Sequence, residues 1–292
     1  MHEGEVDIDV ELVHRLLGAQ FPQWAEMPLA RVQSTGTVNA IFRLGDDLCV
    51  RLPRLQGWAT DLEKELRWLP TLAPHLPLAV PEPVATGRPD VGYPFVWAIY
   101  RWVEGETFAT DRVGDEHQAA HQLAQFVARL RGIDPSGAPR SRRDRSMHAQ
   151  DVETRTAIEQ LRGVIDTDAV IAAWEIALEA PAWDGRAVWT HGDLLPPNLL
   201  VDCGRLLAVI DFGSMGVGDP AIDVIPAWSV FGAAGRRAFR AALEVDDATW
   251  ARGRGFALHQ ALLIIPYYPA TNPAFVTMAT RTVDEVLADH GP

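Results

Sequence analysis

The chain is poor in lysine and cysteine and has no long apolar run. Of its 292 residues 26 are basic, and Lys64 is the only lysine among them. Acidic residues number 39, for a formal charge of −13. Both halves of the chain share that balance, so neither offers a basic face to a phosphate backbone, which argues against nucleic acid as a partner. A cationic or metal-chelated ligand suits the charge better. Cys49 and Cys203 are the only cysteines. Each lies beside an apolar strand-like run, so two buried free thiols in a reducing compartment are expected and not a disulfide framework. No stretch approaches the ~18 apolar residues of a membrane span, and Met1-His2-Glu3-Gly4-Glu5 is acidic where a secretory signal is basic and then apolar. A cytoplasmic protein with no membrane partner is expected, as a monomer or homodimer. What is present, 48% apolar and 22% charged residues, is ordinary globular composition, and the length suggests two lobes.

Along the chain, Asp9 can cap a helix running to about Gln20, with Val10, Val13 and Leu17 on one face. Strand signals follow at 29–33, 39–44 and 48–52, separated by Ser34-Thr35-Gly36-Thr37 and by Gly45-Asp46-Asp47, a meander pattern. Leu62, Leu66 and Leu69 mark a helix over 61–69, and Glu65 sits at the edge of its stripe. After the proline-dotted segment 70–83, two more strand signals bracket 87–92, the second at 95–103. The texture then changes to helices, at 118–131, 152–162, 168–179, 235–243 and 249–264. Between the first two, Arg140, Arg142, Arg143 and Arg145 surround Asp144 in a polar loop that reads as solvated surface. The expected division is an N-terminal lobe over 1–99, a connector over 100–105 and a C-terminal lobe over 106–292.

The informative stretch is 189–223. Pro196 and Pro197 forbid a regular helix before Asn198, so Asp193 and Asn198 share one loop. Leu199–Val201 and Leu206–Ile210 then form a hairpin across Asp202-Cys203-Gly204 that carries Asp211 back toward that loop. An amide oxygen and one carboxylate suit a hard divalent cation such as Mg²⁺, which keeps positions open for phosphate oxygens and water. Asp193 is then left for an acceptor hydroxyl. His-x-Asp-x4-Asn followed by Asp-Phe-Gly is the signature of protein-kinase-like phosphotransferases. His191 reads as a scaffold residue that hydrogen-bonds backbone, and Asp223 as structural.

His191-Gly192-Asp193-x4-Asn198, Ile210-Asp211-Phe212-Gly213 and Gly218-Asp219-Pro220-Ala221-Ile222-Asp223 resemble the aminoglycoside phosphotransferase family. Gly36-x-x-Asn39, Arg43-Leu44-Gly45-Asp46-Asp47, Val50-Arg51-Leu52-Pro53-Arg54 and Glu65-x-x-Trp68-Leu69-Pro70 resemble its small lobe. The resemblance implies an α+β, bilobal protein-kinase-like fold, with a small antiparallel β-lobe holding one key helix and a larger, mainly helical lobe. It implies a Mg²⁺-requiring O-phosphotransferase that uses ATP or GTP. Asp193 would be the catalytic carboxylate, and Asn198 and Asp211 the metal ligands. Gly36 and Asn39 would lie at the phosphates, Arg51 would neutralise phosphate charge with Glu65 fixing its side chain, and Tyr100 and Trp102 of the connector would meet the base. Arg51 stands where the kinase pattern has lysine, and a guanidinium is larger and flatter than an ammonium. Gly192 replaces the arginine that senses an activation-loop phosphate in protein kinases, so the enzyme would be constitutively competent.

The acceptor that the resemblance implies is a small-molecule hydroxyl, cationic in class, an aminoglycoside with its ammonium groups against acidic walls. A macrolide, given ten tryptophans, or an amino alcohol is the alternative. Two rival readings are a nucleotide-binding protein without catalysis, motivated by Arg51, and a metal-dependent phosphohydrolase, for which His191 alone is too few histidines.

Overall fold

The structure, a computed structural model, describes residues 5–32, 39–90, 92–183, 185–186, 188–269 and 271–289. Gly36 and its flanking Ser34, Thr35 and Thr37 lie outside the described residues. The chain forms two compact units, one of Met1–Pro74, Ala79–Glu104 and Ile210–Gly213, the other of His75–Leu78, Gly105–Val209 and Ser214–Pro292.

In the first unit, α1 (Val10–Gln20) begins where Asp9 accepts the Leu12 amide at 2.7 Å, and it buries Leu12, Val13, Leu16 and Leu17. Strands β1 (Leu29–Arg31), β2 (Asn39–Leu44) and β3 (Leu48–Pro53) precede α2 (Gln56–Leu72), and β4 (Pro83–Gly87) and β5 (Trp97–Arg101) follow it. The strands form one antiparallel sheet in the order β1-β2-β3-β5-β4, with β3 in the middle. The period-2 alternation of β3 sorts its side chains. Leu48, Val50 and Leu52 enter the larger core with Phe42, Leu44, Trp97, Ile99 and the apolar face of α1. Cys49 lies on the other face, against Leu62, Leu66, Ala98 and Tyr100. Arg51, two residues on, shares the face that α2 covers. That helix is longer than the 61–69 expected, because buried Ala59, Leu69 and Leu72 extend its stripe at both ends and carry it through Pro70.

The second unit contains β6 (Glu106–Thr107), α3 (Glu116–Arg131), α4 (Met147–Gln160), α5 (Thr167–Leu178), β7 (Val188–Thr190), β8 (Leu199–Asp202), β9 (Arg205–Val209) and β10 (Gly216–Gly218). Then come α6 (Pro226–Ser229), α7 (Ala233–Leu243), α8 (Asp247–Tyr267) and α9 (Pro273–Ala288). Two small sheets, β6-β8-β9 and β10-β7, carry the loops of interest. The last helix, α9, has no counterpart in the sequence reading. The fold is thus α+β, a five-stranded antiparallel sheet followed by a mainly helical part. Among the described residues no helix is long and apolar enough to cross a membrane.

The expectation of two buried thiols is corrected. Cys49 is half-buried, but Cys203 is exposed. With φ of 48° at Cys203 and 77° at Gly204, these residues form the tip of the β8–β9 hairpin, the two-residue left-handed turn that matches strand twist. A turn tip faces solvent whatever residue fills it.

His259 of α8 is 7% exposed. The Thr154 hydroxyl donates to the Gln150 carbonyl at 2.8 Å, so its oxygen is left to accept from His259 Nδ1, also at 2.8 Å. Trp174 stacks on the ring at 6.1 Å between centroids. Burial drives the His259 pKa down to about 4, with Glu153 opposing and Arg143 and Arg145 adding to the fall. An unfolded histidine takes a proton near pH 6.5, well before the folded one does. The stabilisation is therefore complete above pH ~6.5 and is lost as pH falls from there toward 4, by up to ~3 kcal/mol. Denaturant titrations of the native chain and His259→Gln at pH 7.5 and 5 check this: the native chain should lose more stability between the two values than the variant does.

Candidate active site

In the first unit the buried centre is Arg51. Its Nη1 donates to both carboxylate oxygens of Glu65 at 2.9 Å, and its Nη2 donates to Asp211 Oδ1 at 2.9 Å. With its amide oxygen turned to the guanidinium, Asn39 accepts from Nε at 2.9 Å and from Nη2 at 3.0 Å. A guanidinium has five N–H donors, and these contacts engage all of them. Burial opposes the charge, but Glu65, Asp211 and Tyr100 more than restore it, and the Arg51 pKa is raised. Glu65, fully buried, also accepts from the Tyr100 hydroxyl at 2.7 Å. Burial first, and Glu65 second, hold that phenol well above its ordinary range. One cation against two carboxylates leaves the cluster one negative charge, at Asp211.

The backbone at Asp211 is unusual: φ is 63°, in the left-handed region a non-glycine residue seldom enters. The only lysine, Lys64, lies on α2 and pairs with Asp61 at 3.4 Å, away from the strand position where Arg51 stands.

Two expected base contacts divide. Tyr100 is 3% exposed with its hydroxyl on Glu65, so it acts on Glu65 and does not present its ring to a base. Trp102 carries the Arg43 guanidinium 4.3 Å from its ring centroid. Its main-chain amide donates to the Asp47 carbonyl at 2.8 Å, while its buried indole N–H has no acceptor among the described residues.

In the second unit, β7 ends in the loop that carries Asp193. Both oxygens of the fully buried Asp223 take backbone amides of this loop, His191 at 2.8 Å and Gly192 at 2.9 Å. Burial pushes the Asp223 carboxyl up, and His191, those amides and Arg131 pull it back only in part. His191 Nδ1 accepts the Asp193 amide at 3.2 Å, the scaffold role expected of it. Gly192 has φ of 82°, and a Cβ there would sit 3.0 Å from the Ser214 carbonyl oxygen. The left-handed backbone and the lack of room together disfavour arginine at this position.

The Asp193 side chain is 23% exposed. Its Oδ2 accepts from Asn198 Nδ2 at 2.9 Å, and the same nitrogen donates to the Asp193 carbonyl at 2.8 Å. This fixes the Asn198 amide, with its oxygen, the atom a hard cation binds, turned away from Asp193. Asp193 Oδ1 accepts from Gln260 Nε2 at 2.9 Å and from Arg143 Nη2 at 3.4 Å. An ionised carboxylate offers about four acceptor positions. Three are taken, and one is left for an incoming hydroxyl.

Gln260 and Arg143 escaped the sequence reading. Gln260 lies inside α8, 67 residues from Asp193, where one amide among buried apolar residues gives no periodic signal. Its Oε1 is buried with no donor, a cost of ~1–3 kcal/mol that holding Asp193 accounts for. The four arginines of the 140–145 loop are exposed, as the solvated-surface reading expects, but the loop is anchored from beneath. Ser141, 6% exposed, donates to the Ser214 carbonyl at 2.9 Å, and its amide donates to the Val217 carbonyl at 3.0 Å. A Cβ at Gly216 would lie 2.5 Å from the Ser141 nitrogen, so the loop is clamped flush onto β10.

The profile described as Phosphotransferase enzyme family matches residues 31–256, which include Arg51, Asp193, Asn198, Asp211 and Asp223 but end before Gln260. An aminoglycoside 3'-phosphotransferase of Escherichia coli is 28% identical over 211 residues, 65% of this chain and 72% of that protein. The uncharacterized protein YcbJ of Bacillus subtilis (strain 168) is 26% identical over 164 residues, so the match spans only about half of that relative, 51%, and 54% of this chain. Among solved structures, the GDP and kanamycin complex of APH(2")-IIia has a TM-score of 0.77 at 21% identity, covering 97% of this chain and 100% of that one. The macrolide 2'-phosphotransferase MphH from Brachybacterium faecium has a TM-score of 0.60 at 22% identity, covering 94% and 98%. With the profile spanning most of its length and its motif residues forming these two polar centres, the chain belongs to the Phosphotransferase enzyme family.

Proposed function

We propose that this phosphotransferase moves the γ-phosphate of ATP or GTP, with Mg²⁺, to a hydroxyl of a small molecule. The observation that carries the reading is Asp193: a part-exposed carboxylate fixed by Asn198 and Gln260 and touched at 3.4 Å by Arg143, with one acceptor position to spare. There it accepts the hydrogen bond of the acceptor hydroxyl and aims that oxygen at the γ-phosphorus. The new O–P bond forms as the bond to the nucleotide's β-phosphate oxygen breaks, and the hydroxyl proton passes to Asp193.

Asn198 and Asp211 are the proposed metal ligands. An oriented amide oxygen and a carboxylate in a cluster of net negative charge fit a hard cation that draws its remaining ligands from phosphate and water. When bound, the ion would neutralise charge on the transferring phosphate. Arg51 serves the phosphate end by holding Asp211 and Glu65 in place, with Asn39 and Tyr100 completing the cluster. Gly36 remains the proposed phosphate loop, and Trp102, with its unmet indole N–H, the proposed base contact. Aminoglycosides are the acceptors the relatives point to, with macrolides next and amino alcohols a third class.

A thermal-shift screen with ATP or GTP and Mg²⁺, followed by assays of nucleoside diphosphate release with each acceptor class, tests the reading. Nucleotide with Mg²⁺ should raise the unfolding temperature, and at least one acceptor should accelerate diphosphate release. Stabilisation by nucleotide without transfer to any hydroxyl would favour the non-catalytic alternative.

A further inference from the structure

We propose that Arg143 forms an anion-binding subsite beside Asp193, so that the acceptor this chain prefers, unlike the polyamine sugars the relatives point to, is a hydroxyl compound bearing a carboxylate, such as a sugar acid. This rests on the phosphotransfer reading above and names the acceptor class of the same site.

The first support is placement. Arg143 reaches Asp193 Oδ1 through one Nη2 contact, at 3.4 Å, with its side chain 42% exposed. That is longer than a charge-assisted hydrogen bond at full strength. Its Nε and Nη1 donors meet no acceptor among the described residues, so the planar fork that grips a carboxylate in two places stays available next to the hydroxyl-activating group. The neighbouring arginines are engaged: Arg140 pairs with Asp144, and Arg145 with Glu153 at 3.1 Å.

The second support is rigidity. Ser141 Oγ accepts the Arg143 amide at 3.2 Å and donates to the Ser214 carbonyl. A Cβ at Gly218 would lie 3.1 Å from the Asp144 side chain, so β10 presses on the loop on both sides of Arg143. The backbone that carries Arg143 is thus fixed beside Asp193, which shortens the search its guanidinium must make, and a placed cation is what a recognition element requires.

The third support is the character of the surroundings. Behind Gln260 the packing against Leu195, Ile225, Ala257 and Ile264 is buried and apolar and holds no carboxylate. His259, whose pKa burial lowers and Arg143 and Arg145 lower further, stays neutral above about pH 4. The nearby Glu153 is already spent on Arg145. An acceptor with several ammonium groups would meet the Arg143 cation beside Asp193, where further free carboxylates are needed to replace its hydration. The net charge of the whole chain, which favours cationic ligands, is distant charge that salt screens.

The test uses the full chain with ATP and Mg²⁺ and three matched acceptors, glucuronate, glucose and glucosamine, with kanamycin as the polyamine. Calorimetry without nucleotide reads acceptor binding, and diphosphate release reads turnover. Glucuronate should exceed glucose at least ~10-fold in kcat/KM and in affinity, with glucosamine and kanamycin below glucose. Arg143→Gln should shrink the glucuronate-to-glucose ratio at least ~10-fold through KM, and Arg143→Glu should invert it in favour of glucosamine. Preference for an ammonium-bearing acceptor, equal use of all three sugars, or an equal fall in kcat for every acceptor in Arg143→Gln overturns the proposal. Glucuronate binding that depends on Arg143 without turnover would uphold the subsite and defeat the kinase reading. Turnover of cationic acceptors would do the reverse.

Discussion

Asp193→Asn should lower kcat for acceptor phosphorylation by ~10²–10⁴-fold while nucleotide still stabilises the fold. The magnitude is that of a lost general base. An asparagine keeps the shape of the side chain but cannot take the hydroxyl proton. It also offers one oxygen where donors approach on two sides, Asn198 at Oδ2 and Gln260 with Arg143 at Oδ1. One set of donors therefore faces an amide nitrogen, and stability should fall by about 1–3 kcal/mol. Steady-state kinetics and thermal unfolding measured on the same preparation separate the two effects, because a loss of stability of that size leaves a folded enzyme. Turnover within a few fold of the native rate would remove Asp193 from the chemistry.

Arg51→Ala should cost about 3–5 kcal/mol of stability and reduce nucleotide kcat/KM at least ~10-fold. The first figure is that of a buried ion pair with one partner removed. Glu65 is fully buried, and without Arg51 its only remaining hydrogen bond here is that of Tyr100. The second figure, equivalent to ~1.4 kcal/mol, follows from releasing Asp211, which Arg51 Nη2 holds at 2.9 Å. The double variant Arg51→Met with Glu65→Leu distinguishes structure from function. Apolar side chains of similar volume often replace a buried pair without loss, so stability should largely return while activity does not. If activity returned with stability, Arg51 would be scaffolding and another group would serve the phosphates. Arg51→Lys is no neutral exchange, since three donors on one nitrogen cannot meet Asn39, Glu65 and Asp211 together.

Much of this was legible in the sequence wherever one stretch of chain settles the geometry. Pro196 and Pro197 force the Asp193–Asn198 loop, and Cys203-Gly204 closes a hairpin whose strands are adjacent in sequence. Asp9 starts a helix at the residue expected. The errors came where a neighbour from elsewhere decides. The extension of α2 to Gln56 depends on burial of Ala59 in the core of the first unit; the exposure of Cys203 is the exception, since its own turn decides it. Tyr100 looks like a connector residue until the Glu65 carboxylate is seen to claim its hydroxyl.

The sequence by itself determined the family, the α+β class and the residue types of the chemistry, because those follow from short spacings and local stiffness. Tertiary structure alone decided what each polar group touches. It set the five donors of Arg51 on three partners drawn from β2, α2 and the segment after β9, and it brought Gln260 and Arg143 to Asp193 from 67 and 50 residues away. Arginine loops and helix-buried amides carry no periodic signature of their purpose, since a hydrogen bond depends on distance and angle in space and not on separation along the chain. For that reason the carboxylate proposed as catalytic could be named from the sequence, while the cation proposed to face its acceptor could not.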